Sequence, residues 1–141
     1  MPIEIKYLDD GLGFSFVGKE RVTGEELISS NKKIFSAKEK LVKYRYALID
    51  YTDITQFDVS SPEIEIIVSQ DKEASIHVPE GVVAIVAKKD LEFGVSRMWE
   101  IIIETTGIKW ETMVCRTRED AVTWIKKRVN EKFDISDLTF S

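Results

Sequence analysis

The sequence predicts an α/β domain with a mixed, mostly parallel five-stranded sheet flanked by four helices. Three observations predict it. Short runs with a continuous apolar core, Ala47-Leu48-Ile49 and Val82 to Ala87, read as strands buried on both faces. Capped segments with apolar residues at helical spacing follow these runs. The amino-terminal stretch instead alternates apolar and polar residues around a pair of glycines, the mark of an antiparallel hairpin. Strand alternating with helix after a hairpin gives the order β-β-α-β-α-β-α-β-α, which implies parallel crossovers and a mixed edge.

Each element has its own signal. Ile3, Ile5 and Tyr7 share one face of the first strand, Gly11 and Gly13 mark a tight turn, and Phe14 and Phe16 resume the alternation. Thr23 and Glu26 have the spacing of a capping box, which predicts one long helix with the stripe Leu27/Ile28, Ile34/Phe35, Leu41/Val42 and lysines opposite. Tyr46–Tyr51 is the next strand, and Thr52 to Val59 reads as a carboxylate-rich turn. Ser60 and Glu63 repeat the capping-box spacing, with Pro62 in the tolerant first turn and Ile64, Ile67 and Val68 facing inward. Pro79 and Gly81 precede the strand Val82 to Ala87. Asp90 is expected to cap a third helix whose inner face is Leu91, Val95, Met98, Trp99 and Ile102, closed by Gly107. Trp110–Cys115 is the last strand. Thr117 and Asp120 open the last helix, with Ala121, Trp124, Ile125 and Val129 inside.

With 141 residues, the chain suits one domain, expected over 1–130, and a tail over 131–141 carrying Phe133, Ile135, Leu138 and Phe140. That tail either docks in cis or supports a homo-oligomer. A net charge of −5 argues against a nucleic-acid partner, since phosphate binding needs a basic surface. Cys115 and His77 are the single cysteine and histidine, which excludes an intramolecular disulfide and the usual Cys/His zinc site. The charged, alternating start is unlike a signal peptide, and no apolar run approaches a membrane span. A cytoplasmic location without cofactor, metal or integral membrane segment is expected.

Candidate residues each have a bland competitor. Asp50, Asp53 and Asp58 could offer oxygen to a hard cation, but aspartates at strand ends commonly satisfy their own turn or face a helix amino terminus. Ser60 and Ser61 could accept phosphate, whereas capping already accounts for such serines. Cys115 beside Arg116 has no base that the sequence brings to it and reads as a buried structural thiol. Arg97, Trp99 and Trp124 could line a helix-sheet ligand pocket, and core packing is the alternative for the two tryptophans. No combination of these residues builds a catalytic constellation, so no enzyme is expected.

Three stretches, FSFVGKERVTGEEL, ALIDYTDITQFDVSS and MVCRTREDAVTWIKKRV, together resemble the SpoIIAA-like family, whose fold is shared by STAS (anti-sigma factor antagonist) domains. The resemblance spans nearly the whole chain and implies a SpoIIAA/STAS-like fold and a bacterial-type regulatory or protein-interaction module. It implies a partner surface at Asp53, Asp58, Val59, Ser60 and Ser61. In STAS antagonists a D-x-S-G turn carries a serine phosphorylated by a partner kinase. Laying Asp58 on that aspartate puts Val59 at the serine, with Ser60 and Ser61 one and two positions late and Ser61 in place of the glycine. Phosphorylation at Ser60 or Ser61 is the corresponding expectation. Folds of this neighbourhood also hold apolar molecules, so a carrier of a small apolar or lipid-like ligand is the alternative.

Overall fold

A computed structural model of the chain describes residues 3–141. Five strands, β1 (Ile3–Leu8), β2 (Gly13–Thr23), β3 (Tyr46–Asp58), β4 (Val82–Val86) and β5 (Glu111–Cys115), lie across one sheet in chain order. β1 runs antiparallel to β2, and the other neighbours are parallel, so the sheet is mixed and mostly parallel as expected. The helices are α1 (Gly24–Ser36), α2 (Lys38–Leu41), α3 (Ser61–His77), α4 (Asp90–Thr105) and α5 (Arg118–Phe133).

The order of the strands decides which face each helix covers. Parallel neighbours are joined by right-handed crossovers, and every crossover here steps the same way across the sheet. The crossover helices α1, α3 and α4 therefore stack on one face, where α1 packs on α3 and α3 on α4. Having no further strand to reach, α5 returns across the other face, against β3, β4 and β5. Two cores result, one under the three-helix layer and one between the sheet and α5.

Three of the four local signals for the helix starts hold. Thr23 with Glu26 and Ser60 with Glu63 form complete capping boxes, and the Thr117 hydroxyl accepts from the Asp120 amide. Gly107 adopts φ +85, the left-handed conformation that ends α4. Gly13 is needed for a different reason. The Tyr46 ring lies over it where a Cβ would stand, and the Tyr46 hydroxyl donates to Asp9.

Four expectations are corrected. The long first helix breaks at Ala37 (φ −90, ψ 87), so the helices number five, and Val42 is exposed while Leu41 is buried. The carboxylate-rich turn at Thr52 to Val59 is instead strand through Asp58. It pairs with β2 as a two-stranded ribbon that extends beyond β1 and β4. Register shifts between Val17 and Lys19 and between Glu20 and Arg21 bulge this ribbon, placing the buried Ile54 and Phe57 three residues apart. That spacing hides the period of two by which a strand is recognised. Asp90 does not cap α4; Lys89 holds the N-cap position without a side-chain bond, and Asp90 pairs with Arg116 at 3.1 Å. The buried face of α4 is Glu92, Ser96, Trp99, Glu100 and Ile103, rotated by about one residue from the expected one, which leaves Leu91 exposed.

The tail docks in cis. Asp9 accepts from the backbone amides of Thr139 (2.8 Å) and Phe140 (3.2 Å) and from the Thr139 hydroxyl, while its own amide donates to the Ser141 carbonyl. Leu138 is buried, and the Phe140 ring lies 4.9 Å from that of Tyr46. Among the described residues no helix is long and apolar enough to cross a membrane.

Candidate functional site

Under the three-helix layer the core does not close. A cavity of about 110 Å³ lies between the sheet and the helices. Its walls are largely apolar, with Phe14, Phe16, Ile49, Ile67 and Ile85 among them, and Trp99 and Trp110 border it from the α4 and β5 side. Well-packed interiors rarely leave voids larger than a water molecule, so a space of this size is a local property of this layer.

A buried carboxylate reaches the same cavity. Asp71 occupies the inward stripe of α3, one turn beyond Ile67 and Val68, and is 4% exposed. Its Oδ1 accepts from Asn31 Nδ2 of α1 at 3.2 Å and its Oδ2 from Trp99 Nε1 of α4 at 2.8 Å. One residue thus ties all three helices together. Burial, which disfavours the charged form, raises the Asp71 carboxyl to about 7, against the opposing effect of the two donors. Asp71 and Glu92 in turn add to the burial that pushes the Tyr51 phenol well above its ordinary range. Ser96, also 4% exposed, completes the polar part of the lining.

The residues singled out from the sequence fall in three places. Trp99 lines the cavity. Trp124 lies on α5 beneath the sheet, packed against the opposite core, so the two tryptophans cannot share a pocket. Arg97 is exposed and bonded to Glu100, whose other oxygen accepts from Thr112, and is absent from the cavity wall. Trp110 takes the place expected of Trp124, with its Nε1 donating to the Val78 carbonyl at 2.7 Å.

Asp58, Ser60 and Ser61 lie exposed where β3 ends and α3 begins, Asp53 lies exposed farther back within β3, and Val59 is half-buried against the core. Asp58 pairs with Arg21 across the ribbon, and Asp53 stands opposite Lys19 in register. The Ser60 hydroxyl is engaged in the capping box, while Ser61 is the first residue of the helix. Asp50 is buried and bonds the amide and hydroxyl of Thr52 at the ribbon bulge, with Arg118 at 3.9 Å.

Cys115 and His77 are held at opposite ends of the parallel sheet. Cys115 closes β5, whereas His77 ends the helix that leads into the start of β4. Burial, Asp120 and Glu100 all push the half-buried thiol upward, which disfavours the reactive thiolate. Among the described residues no three His, Cys, Asp or Glu side chains group to hold a metal ion.

Asp71, Asn31, Ser96 and Tyr51 were not singled out by sequence reasoning, although a signal existed. Asp71 interrupts the stripe Ile64, Ile67, Val68, Ala74, and a polar residue on an apolar helix face is worth asking about.

Comparison with known proteins adds the fold. No family model matches the chain, and no curated protein does. A solved structure that does match is an uncharacterized protein of the DUF3478 family with a SpoIIAA-like fold from Shewanella loihica PV-4. It superposes with a TM-score of 0.52 over 87% of this chain and 91% of that one, at 17% identity. The chain therefore has a SpoIIAA-like fold, as its three motifs implied; at that identity the likeness is one of fold alone.

Proposed function

We propose that this protein is a non-enzymatic, cytoplasmic module that holds a small, largely apolar molecule between its sheet and its three-helix layer. The observation that carries this reading is the 110 Å³ cavity bordered by Trp99 and Trp110. Apolar cavities stay dry and take up apolar guests; one of about 150 Å³ binds benzene or xenon. A space of 110 Å³ suits a guest of only a few heavy atoms. Native mass spectrometry of the gently purified protein, together with xenon titration followed by NMR, tests the reading. A bound mass or xenon shifts at Trp99 and Trp110 are expected. Bare protein that xenon leaves unperturbed would exclude it.

A regulatory contact surface is a second function we infer, supported by the exposure of Asp58, Ser60 and Ser61 where β3 ends and of Asp53 farther back on the same strand. Asp58→Ala with Ser60→Ala should weaken capture of a protein partner while the domain stays folded, since loss of such a cap costs only about 1 kcal/mol. Pull-down unchanged by the pair, with no phosphate at Ser60 or Ser61 in cells, would remove this surface from consideration.

A further inference from the structure

The cavity wall carries polar side chains that its apolar character does not explain. Tyr51 from β3, Asp71 from α3 and Ser96 from α4 all line it, and each is at most 5% exposed. Every carboxylate oxygen offers two lone-pair positions, and Asn31 and Trp99 fill one on each oxygen of Asp71. The hydroxyls of Tyr51 and Ser96 make no hydrogen bond to another described residue, although both residues are buried. Buried polar groups are normally partnered, so three groups with spare capacity around one space point to a guest that supplies the missing bonds.

The chemistry of that guest follows from what surrounds it. Among the described residues Asp71 is the one carboxylate on the cavity wall. Glu92, close enough to Tyr51 to perturb it, also has an unpartnered Oε2. Among the described residues Arg45 is the one cation on the cavity wall, and its guanidinium is bonded to the carbonyls of Val42 and Tyr44 and lies over the Phe133 ring. A carboxylate guest would thus meet like charge without a free cation. An ammonium carries three donors and no acceptor, matching the open acceptor positions of Asp71, Tyr51 and Ser96, and it supplies the positive charge that Asp71 lacks.

We propose that Asp71, Tyr51 and Ser96 form an anchor selecting a small alkyl amine, with the matching alcohol a weaker guest and the matching carboxylate excluded. This rests on the cavity reading above and adds the head group to it. The elevated position of the Asp71 carboxyl, which burial brings to about 7, is what an acid without a cationic partner shows.

The test uses the unmodified protein at pH 8 and four probes: n-butylamine, n-butanol, butyrate and xenon. The Trp99 indole N–H, bonded to Asp71, is the NMR reporter. Butylamine should bind at least tenfold more tightly than butanol, butyrate should not bind, and xenon should perturb the Trp99 and Trp110 signals. Butanol or butyrate equalling butylamine would overturn the anchor while leaving the cavity reading intact. If none of the four perturbs either tryptophan, the cavity is closed or holds water alone, and both proposals fall. Asp71→Asn should bring butylamine down to the level of butanol; an undiminished preference for the amine would overturn the anchor. Should that variant not fold, the ranking on the unmodified protein decides alone.

Discussion

The two faces of the sheet solve the same packing problem with opposite results. Beneath it, Ala121, Ile125 and Val129 of α5 lie against Leu48, Val82, Ala84 and Val86, and all seven residues are at 0% exposure. Above it, the layer of α1, α3 and α4 buries Asn31, Asp71, Glu92, Ser96 and Glu100 and leaves a cavity. A single helix can settle into a groove of a twisted sheet. Three helices joined side by side must satisfy one another as well as the sheet, and strand twist spreads their far ends. The crowded face is therefore where space and buried polarity collect, and it is also where a ligand has something to recognise.

That contrast can be broken most severely by truncation. Ile125→Ala removes side-chain volume from the closed face and should cost about 2–5 kcal/mol, whereas Ile67→Ala, which already borders empty space, should fall at or below the low end of that range. Urea denaturation of the two variants measures the gap, and equal losses would mean that the faces are packed alike. Trp99→Phe should cost about 1–3 kcal/mol by leaving a buried Asp71 oxygen without its donor, and should raise that carboxyl further. Addition should separate the faces by sign. Ala121→Val is expected to destabilise by about 1–3 kcal/mol through overpacking, while Val95→Ile, on the cavity wall, should stabilise by up to about 1 kcal/mol. Thermal melts that rank these two the other way would contradict the packing difference.

The smallest effect to read is a titration, and here too the faces differ in sign. Asp71 lies above its ordinary range, so between about pH 4 and pH 7 the folded state holds a proton that the unfolded state has lost. Its contribution to stability therefore declines as pH rises through that window. Asp9 and Glu111 behave oppositely. Burial raises both, but hydrogen bonds from Tyr46, Thr139 and Phe140 to Asp9 outweigh it, as do Lys132 and Arg128 at Glu111, so both carboxyls lie below their ordinary values. Their stabilisation is present above the ordinary carboxylate range and disappears as pH falls through the folded-state values. The Trp99 indole resonance should titrate with a midpoint near 7, while the protection of the Thr139 and Phe140 amides relative to intrinsic exchange should be lost only in acid. A flat Trp99 signal from pH 5 to 9 would contradict the assignment of Asp71.

Much of this architecture is legible in the residues. Thr23, Ser60 and Thr117 announce their helices because a cap is a local bond between residues three apart, and Ala47 to Ile49 announces a buried strand by its composition. What escapes depends on geometry that no short window contains. The ribbon of β3 is disguised because its bulges shift Ile54 and Phe57 out of alternation. The inner face of α4 is disguised because Glu92, Ser96 and Glu100 occupy it where apolar residues are expected. Trp99 and Trp124 look like partners until strand order and crossover hand set α4 and α5 on opposite sides. The cavity is less visible still, since it is the difference between volumes contributed by elements far apart in the chain.

Nearly all the sheet is assembled from neighbours in sequence, so its strands can zip together progressively as the chain is made. The bond from Thr139 to Asp9 is the exception, closing a loop with a separation of 130 residues. Until residues 139–141 emerge, the hairpin of β1 and β2 has no clasp at its corner, and the Tyr46 ring lacks the cover of Phe140. The early part of the domain is thus finished by the late part. Protection of the Thr139 and Phe140 amides becomes a sign of assembly order, appearing only in molecules whose first strand has waited for the final ones.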